Sequence, residues 1–149
     1  TPGDCIMGAR LFYPDGLVQH AGIGFDTDGS PYNLWKLAPA EHPEVMKPRF
    51  LNAVTFACAL VPRDIWLSVG GLDEGYCNSY EDVDFCLRAK ERGYQVYYHS
   101  GFSAIHLEGQ TEGRNEGVET SWKHYQDIWL ATGRIHYATG VFPFSVQRG

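Results

Sequence analysis

Hydrophobic and polar positions alternate along the chain in a way that predicts strands first. Residues 5–13 (CIMGARLFY) form a short apolar run that stops at Pro14-Asp15-Gly16, three residues that each favour a turn, so a strand and a turn are predicted. Residues 17–25 (LVQHAGIGF) predict a second strand, loosened by Gly22 and Gly24 and paired with the first as a hairpin or as a returning edge. This strand carries Gln19 and His20, and a lone histidine in such a setting is more often structural than catalytic. Residues 26–50 hold Pro31, Pro39, Pro43 and Pro48 without periodicity and predict a long surface loop, a kind of segment that is usually functional or mobile in a compact domain. Tyr32, Trp35, His42, Lys47 and Arg49 stand in it, either as ligand contacts or as pins for the loop itself. Residues 51–61 (LNAVTFACALV) are almost uninterrupted small and apolar residues, the pattern of a central strand covered on both faces.

From Pro62 onwards helical periodicity takes over. Pro62 suits the start of a helix, and residues 63–69 form a short one closed by Gly70. A tight loop, residues 71–74, leads to a longer helix with Ser79 as N-cap and Asp82 at its third position, ending at Gly93. Val83, Cys86, Leu87 and Lys90 fall on its inner side, and Asp84 and Arg88 form an outward pair four residues apart. Residues 95–99 and 103–107 predict two strands, residues 110–117 a polar, glycine-bearing loop, and residues 118–132 an amphipathic helix with Trp122, Tyr125 and Trp129, stopped by Gly133. Residues 134–149 show no clear pattern. Strands that alternate with helices point to an α/β fold, a layered mixed sheet with flanking helices, in a single domain over residues 1–149.

Composition narrows the partners. With 149 residues, 44 % hydrophobic and 20 % charged, the chain has the make-up of an ordinary soluble domain large enough for a real core. A formal charge of -6 argues against nucleic acid or an anionic membrane bound through a general basic surface, while a local basic pocket stays compatible with it. No apolar run approaches the ~20 residues that span a bilayer, and the N-terminus lacks the basic and apolar regions of a signal peptide. The chain starts at Thr1 without Met and enters a strand almost at once, as a piece of a longer protein would. Cys5, Cys58, Cys77 and Cys86 lack CxxC spacing and read as buried free thiols in a reducing, cytoplasmic compartment.

The candidate chemistry lies in residues 72–88, where Asp73, Glu74, Glu81, Asp82 and Asp84 gather around the start of the second helix. Asp82 shares a helix face with the apolar Cys86 and Ala89. A carboxylate there is a helix cap worth ~1 kcal/mol or a working group, and the two roles are compatible. The blocks GARLFYPDGLVQHAG, NAVTFACALVPRD, VGGLDEGYCNSYEDVDFCLRAKERGYQVYYH and IHLEGQT, in this order, resemble the family-2 glycosyltransferases, inverting nucleotide-sugar enzymes of the GT-A fold, over about the first three quarters of the chain.

The resemblance implies that the chain is the acceptor-side, second half of such a domain. Asp82 then matches the general base that takes the proton of the acceptor hydroxyl, with Glu81 beside it, and Asp73 and Glu74 match positions at the acceptor end of the cleft. Trp35 is added as a candidate acceptor contact. His106 matches a position that helps to hold a divalent cation, Mn2+ or Mg2+, on the diphosphate. The implied partners are a nucleotide-sugar donor and a glycan, lipid-linked or protein acceptor, in cell-surface polysaccharide biosynthesis. The chemistry agrees: a sugar hydroxyl is too weak an acid to react unaided, and a leaving diphosphate gathers charge that a cation offsets. One departure stands out. The family's nucleotide-binding half ends in an Asp-x-Asp metal motif, but Asp26-Thr27-Asp28 lies downstream of where that motif belongs and reads as a turn. The donor half is therefore expected outside this chain, which alone should bind nucleotide sugar poorly and expose apolar surface open to self-association. Two other readings stay open: a non-catalytic carbohydrate-binding module that stacks sugars on Tyr32, Trp35 and Trp122, and a metal-dependent hydrolase built on Glu81, Asp82, His99 and His106, for which no recognised ligand spacing is present.

Overall fold

Two strands that lie far apart in sequence form the spine of the fold. In the computed structural model, which describes residues 5–107 and 116–135, β1 (Cys5–Phe12) runs parallel to β7 (Gln95–Ile105). The edge of β1 away from β7 pairs antiparallel with β2 (Val18–His20) and with β6 (Ala59–Leu60), and the free edge of β7 pairs antiparallel with β5 (Arg49–Leu51). A separate hairpin joins β3 (Ile23–Phe25) to β4 (Pro31–Asn33). Three helices flank this mixed sheet: α1 (Arg63–Val69), α2 (Glu81–Glu91) and α3 (Val118–Tyr125), the last running on into a π-helical turn, Gln126–Leu130. The predicted α/β layering is what forms. Among the described residues no helix is long and apolar enough to cross a membrane.

Local chemistry sets several boundaries where the pattern placed them. The first turn closes on Gly16 at φ +88°, with the Leu17 amide donating to Asp15 Oδ1 at 2.9 Å. Helix α1 stops at Gly70 in the left-handed region. Helix α2 stops through Gly93 at φ +91°, whose amide donates to the Lys90 carbonyl while that of Tyr94 donates to Ala89. That pair of bonds is the Schellman arrangement. Asp26-Thr27-Asp28 forms the β3–β4 turn as expected, with the Asp26 amide on the Ser30 carbonyl and the Ser30 amide on Asp28 Oδ1.

Elsewhere packing overrode the pattern. Gly22, at φ +102°, breaks the predicted second strand into β2 and β3. Residues 26–50 are not a surface loop: they contain β4, and Leu34, Trp35 and Val45 are buried in the core. The apolar run 51–61 is not a central strand. It leaves the sheet after Leu51, carries buried Ala53 and Val54 outside any strand, and returns only as the two-residue edge β6. Its small residues let it pass beneath β1, where Val54 fills the space beside Gly8, and the Cys86 thiol reaches the Val54 carbonyl. The two strands predicted over 95–107 are one strand with an irregular register, Gly8 facing Tyr98 but Arg10 facing Ser103. The last predicted helix turns π-helical after Tyr125. The predicted loop 110–117 falls largely, and the patternless residues 134–149 almost wholly, outside the described residues.

The start of α2 departs most. Ser79 is not the N-cap: Tyr80 precedes the helix at φ +69° without a side-chain cap bond, and Asp82 occupies the second helical position. Asp84 is not an outward surface group either. It is 1 % exposed, and its Oδ1 accepts from the Tyr76 hydroxyl at 3.0 Å and from Trp129 Nε1 at 2.8 Å, while Oδ2 takes Arg88 Nε at 2.7 Å. The pair with Arg88 exists but is turned inward, because the π turn brings Trp129 and the loop before α2 brings Tyr76 onto that face, two buried donors which need an acceptor. Burial and the Asp84 carboxylate push the Tyr76 phenol up, keeping it protonated as a donor. The largest fully buried side chains, Trp129, Tyr98, Tyr125 and Phe85, come from α3, the π turn, β7 and α2, so the core sits between the sheet and the helices that hold Asp82 in place.

Candidate functional site

A cleft of about 310 Å³ opens where β2, β4, the segment after β5, the start of α2 and the end of β7 converge. Gln19 and His20 reach it from β2, Tyr32 and Asn33 from β4, Thr55 from the broken apolar run, residues 78–83 from the helix start, and His106 from just beyond β7. Its rim is strained. Asn78 (φ +62°) and Tyr80 (φ +69°) both adopt the left-handed region without being glycine, at a cost of ~1–3 kcal/mol each. Tyr80 is held there by α3, its ring packed 5.5 Å from those of Tyr125 and Trp122. This backbone bend is what lets α2 begin at Glu81 and aim Glu81 and Asp82 into the cleft.

Asp82 is gripped on both oxygens. Oδ2 accepts from the Thr55 hydroxyl at 3.0 Å and the Phe56 amide at 3.1 Å, and Oδ1 accepts from the Val83 amide at 2.8 Å. A carboxylate oxygen has two lone pairs, so these bonds fill Oδ2 and leave capacity on Oδ1. The free Val83 amide of the first turn is satisfied locally, and the carboxylate still faces the cleft.

His106 is fixed by a reciprocal clamp with Gln19. The Gln19 amide nitrogen donates to the His106 carbonyl at 3.3 Å, which turns its Oε1 towards His106 Nδ1 at 2.7 Å. Nδ1 therefore carries the proton, and Nε2 keeps a lone pair. His20 is also fixed, but as a support. Its Nε2 accepts the Thr55 amide at 3.4 Å, so Nδ1 donates to Asn33 Oδ1 at 2.9 Å, and complete burial lowers its pKa to about 4. It stays neutral and ties three parts of the cleft wall together.

Of the residues singled out by sequence, the fold brings Glu81, Asp82 and His106 into this cleft. Asp73 and Glu74 lie apart, in a separate surface depression with Arg88. Burial works against ionisation of Asp73, yet the Gly75 amide and His124, 2.9 Å away, hold its carboxyl below the usual range, and its evident task is to tie the loop to α3. Trp35 does not line the cleft: it is 2 % exposed, with the Arg49 guanidinium over its ring. His99 belongs to a different surface, packed edge-on against Tyr97 and Phe102. Of the three rings considered as sugar platforms, only Tyr32 lines the cleft, since Trp122 packs against Tyr80 and Tyr125. Thr55, Asn33 and Tyr80 were not singled out as site residues: Thr55 and Tyr80 stand inside the blocks NAVTFACALVPRD and YEDVDFCLR with no role attached to them, Asn33 lies outside any block, and only the Gln19-His20 pair in a strand was a hint.

No protein-family model matches the chain. It is 32 % identical over 132 residues to a protein of Sinorhizobium fredii named uncharacterized protein y4gI, and 31 % identical over 132 residues to O-antigen biosynthesis protein RfbC of Myxococcus xanthus. The matches take in 85 % and 84 % of this chain but only 14 % and 10 % of those proteins, so the chain spans a small part of the relatives it matches.

A divalent cation fits this donor set in part. His106 Nε2 is a suitable neutral ligand, while among the described residues no group of three or more His, Cys, Asp or Glu side chains is placed to hold a metal.

Proposed function

We propose that the chain is the acceptor-side part of an inverting, family-2-like glycosyltransferase of the GT-A fold acting in polysaccharide biosynthesis, with Asp82 as its general base. The observation that carries the reading is the Asp82 carboxylate, immobilised by Thr55, Phe56 and Val83 yet lining a cleft large enough for a sugar unit. The name of the Myxococcus relative, an O-antigen biosynthesis protein, supports the polysaccharide context.

In this reading the acceptor hydroxyl lies against Asp82. As its oxygen attacks the anomeric carbon, the proton passes to the carboxylate, and the bond from that carbon to the diphosphate oxygen breaks on the opposite face, its electron pair leaving with the nucleoside diphosphate. One displacement inverts the anomeric centre. Holding the base beforehand removes an orientational cost from the barrier. Glu81 borders the acceptor position, and Tyr32 offers an aromatic surface to a sugar ring. His106 would be one ligand of a divalent cation whose positive charge offsets that of the leaving diphosphate; the remaining ligands and the nucleotide site belong to residues other than those described.

The test is Asp82→Asn in the protein that carries this chain with its donor-binding part. Donor affinity should change less than about twofold, and kcat should fall by ~10²–10⁴. Turnover within threefold of wild type would remove Asp82 from the base role.

A further inference from the structure

Asp82 does not stand alone: a hydrogen-bonded chain runs from it through the cleft wall to a buried histidine. Asp82 Oδ2 takes the Thr55 hydroxyl and the Phe56 amide, the Thr55 amide donates to His20 Nε2, and His20 Nδ1 donates to Asn33 Oδ1. The links come from α2, the segment after β5, β2 and β4, four parts of the chain that share no local sequence signal. We propose that Thr55, backed by His20, is a positioning residue for the reaction: it saturates Oδ2 and thereby makes Oδ1 the atom that receives the acceptor proton. The inference rests on the assignment of Asp82 as base.

The geometry supports this at each link. Oδ2 already accepts two donors, as many as its lone pairs allow, whereas Oδ1 accepts only the amide of the next residue. Rotation of the carboxylate about Cβ–Cγ would break all three bonds at once. Thr55 is in turn fixed by its own backbone, for its hydroxyl oxygen accepts the Ala57 amide at 3.4 Å while its amide is held by His20. The histidine can do this only as the neutral Nδ1–H tautomer, since a protonated ring has no acceptor for the Thr55 amide. Complete enclosure of the ring keeps it in that form. A valine at 55 would preserve the shape of the segment while removing the donor to Oδ2 and, with it, the acceptor of the Ala57 amide, whereas serine keeps both. The titratable groups around Asp82 are Glu81 and Cys86 on its own helix, Tyr80 before it, His20 on β2, Tyr32 on β4 and His106 beyond β7, while Asp84 turns away towards Tyr76 and Trp129, and the substitution alters none of them.

The experiment compares Thr55→Val, Thr55→Ser and Asp82→Asn in the protein that carries this chain with its donor-binding part, reading kcat, donor KM and the pH dependence of kcat/KM, with thermal melting as the check on folding. Thr55→Val should lower kcat by roughly ten- to a hundredfold, leave donor KM within twofold, and move the acid limb of the profile to higher pH, because the charged carboxylate loses a donor. Thr55→Ser should restore kcat and the limb to within threefold and a few tenths of a pH unit of wild type. A folded Thr55→Val protein with wild-type kcat and an unmoved limb overturns the proposal, as does a Thr55→Ser protein as impaired as the valine variant. If Thr55→Val does not fold, the serine variant and Thr55→Ala stand in: equal activity of the two overturns the proposal, and loss confined to alanine supports it. Failure of the base assignment is separately visible as turnover retained by Asp82→Asn, which overturns both.

Discussion

Asp84 offers the sharpest test of how this fold holds its cleft. As an exposed partner of Arg88 four residues along a helix, it would contribute only ~0.3–0.5 kcal/mol. The structure instead buries it at 1 % exposure, with Tyr76 and Trp129 on one oxygen and Arg88 on the other. Hydrogen bonds to a charged acceptor are worth ~1.5–3 kcal/mol each. Removing one member of a buried ion pair costs ~3–5 kcal/mol. Arg88 is 23 % exposed and can rehydrate when its partner goes, so the lower part of that range applies, and Asp84→Ala should cost ~3–4 kcal/mol. Asp84→Asn, which keeps an acceptor for Tyr76 and Trp129 but loses the charge, should cost about half as much. Urea unfolding of residues 1–149, followed by tryptophan fluorescence, reads both values. With m of ~1.5–2 kcal/mol/M, the midpoint for Asp84→Ala should fall by ~2 M at unchanged m. A double-mutant cycle with Trp129→Phe should show a coupling of at least ~1 kcal/mol. A loss below ~0.5 kcal/mol for Asp84→Ala would return the residue to the surface and refute the inward network.

Two further outcomes follow from the same geometry. His20 is neutral in the fold down to about pH 4 but binds a proton near pH 6.5 when unfolded, so the stability it supports is full above that pH and is lost as pH falls from about 6.5 to about 4, by up to ~3 kcal/mol. The difference in urea midpoint between wild type and His20→Gln, measured at pH 7, 5.5 and 4.5, should narrow across that window, and a pH-independent difference would show that the ring titrates normally. Gly22→Ala combines φ +102° with a methyl group that collides with Leu51 Cδ1, whereas Gly93→Ala has φ +91° and open space around it; thermal melting should place the first at a loss of ~3 kcal/mol or more and the second near ~1 kcal/mol, and equal losses would contradict the packing around Gly22.

Elements bounded by backbone chemistry were legible in the sequence. Helix α1, the stop of α2 at Gly93, the turn at Gly16 and the Asp26-Thr27-Asp28 turn depend on residues within a few positions of each other, and proline and glycine dictate φ whatever surrounds them. The apolar run 51–61 was misread because continuous small hydrophobic residues record burial, not extension. They satisfy a strand covered on both faces and equally a segment threaded between sheet and helix. Trp35 was misread for the opposite reason: an aromatic in a proline-rich stretch looks available, but Arg49 covers its ring.

The site divides along the same line. The sequence by itself determined that carboxylates would crowd the start of one helix and that a histidine would end the last strand, since helical spacing and strand ends are local properties. Only the tertiary structure decided which carboxylate faces the cleft. Asp82 and Asp84 are two residues apart on one helix and so point in different directions: one meets the Thr55 segment, the other meets Tyr76 from the loop before α2 and Trp129 from the π turn after α3. Their chemistry is the same; the donors that tell the two sides of the helix apart, Thr55 and Phe56 on one and Trp129 on the other, come from segments distant in sequence, and no spacing rule within residues 79–88 encodes them.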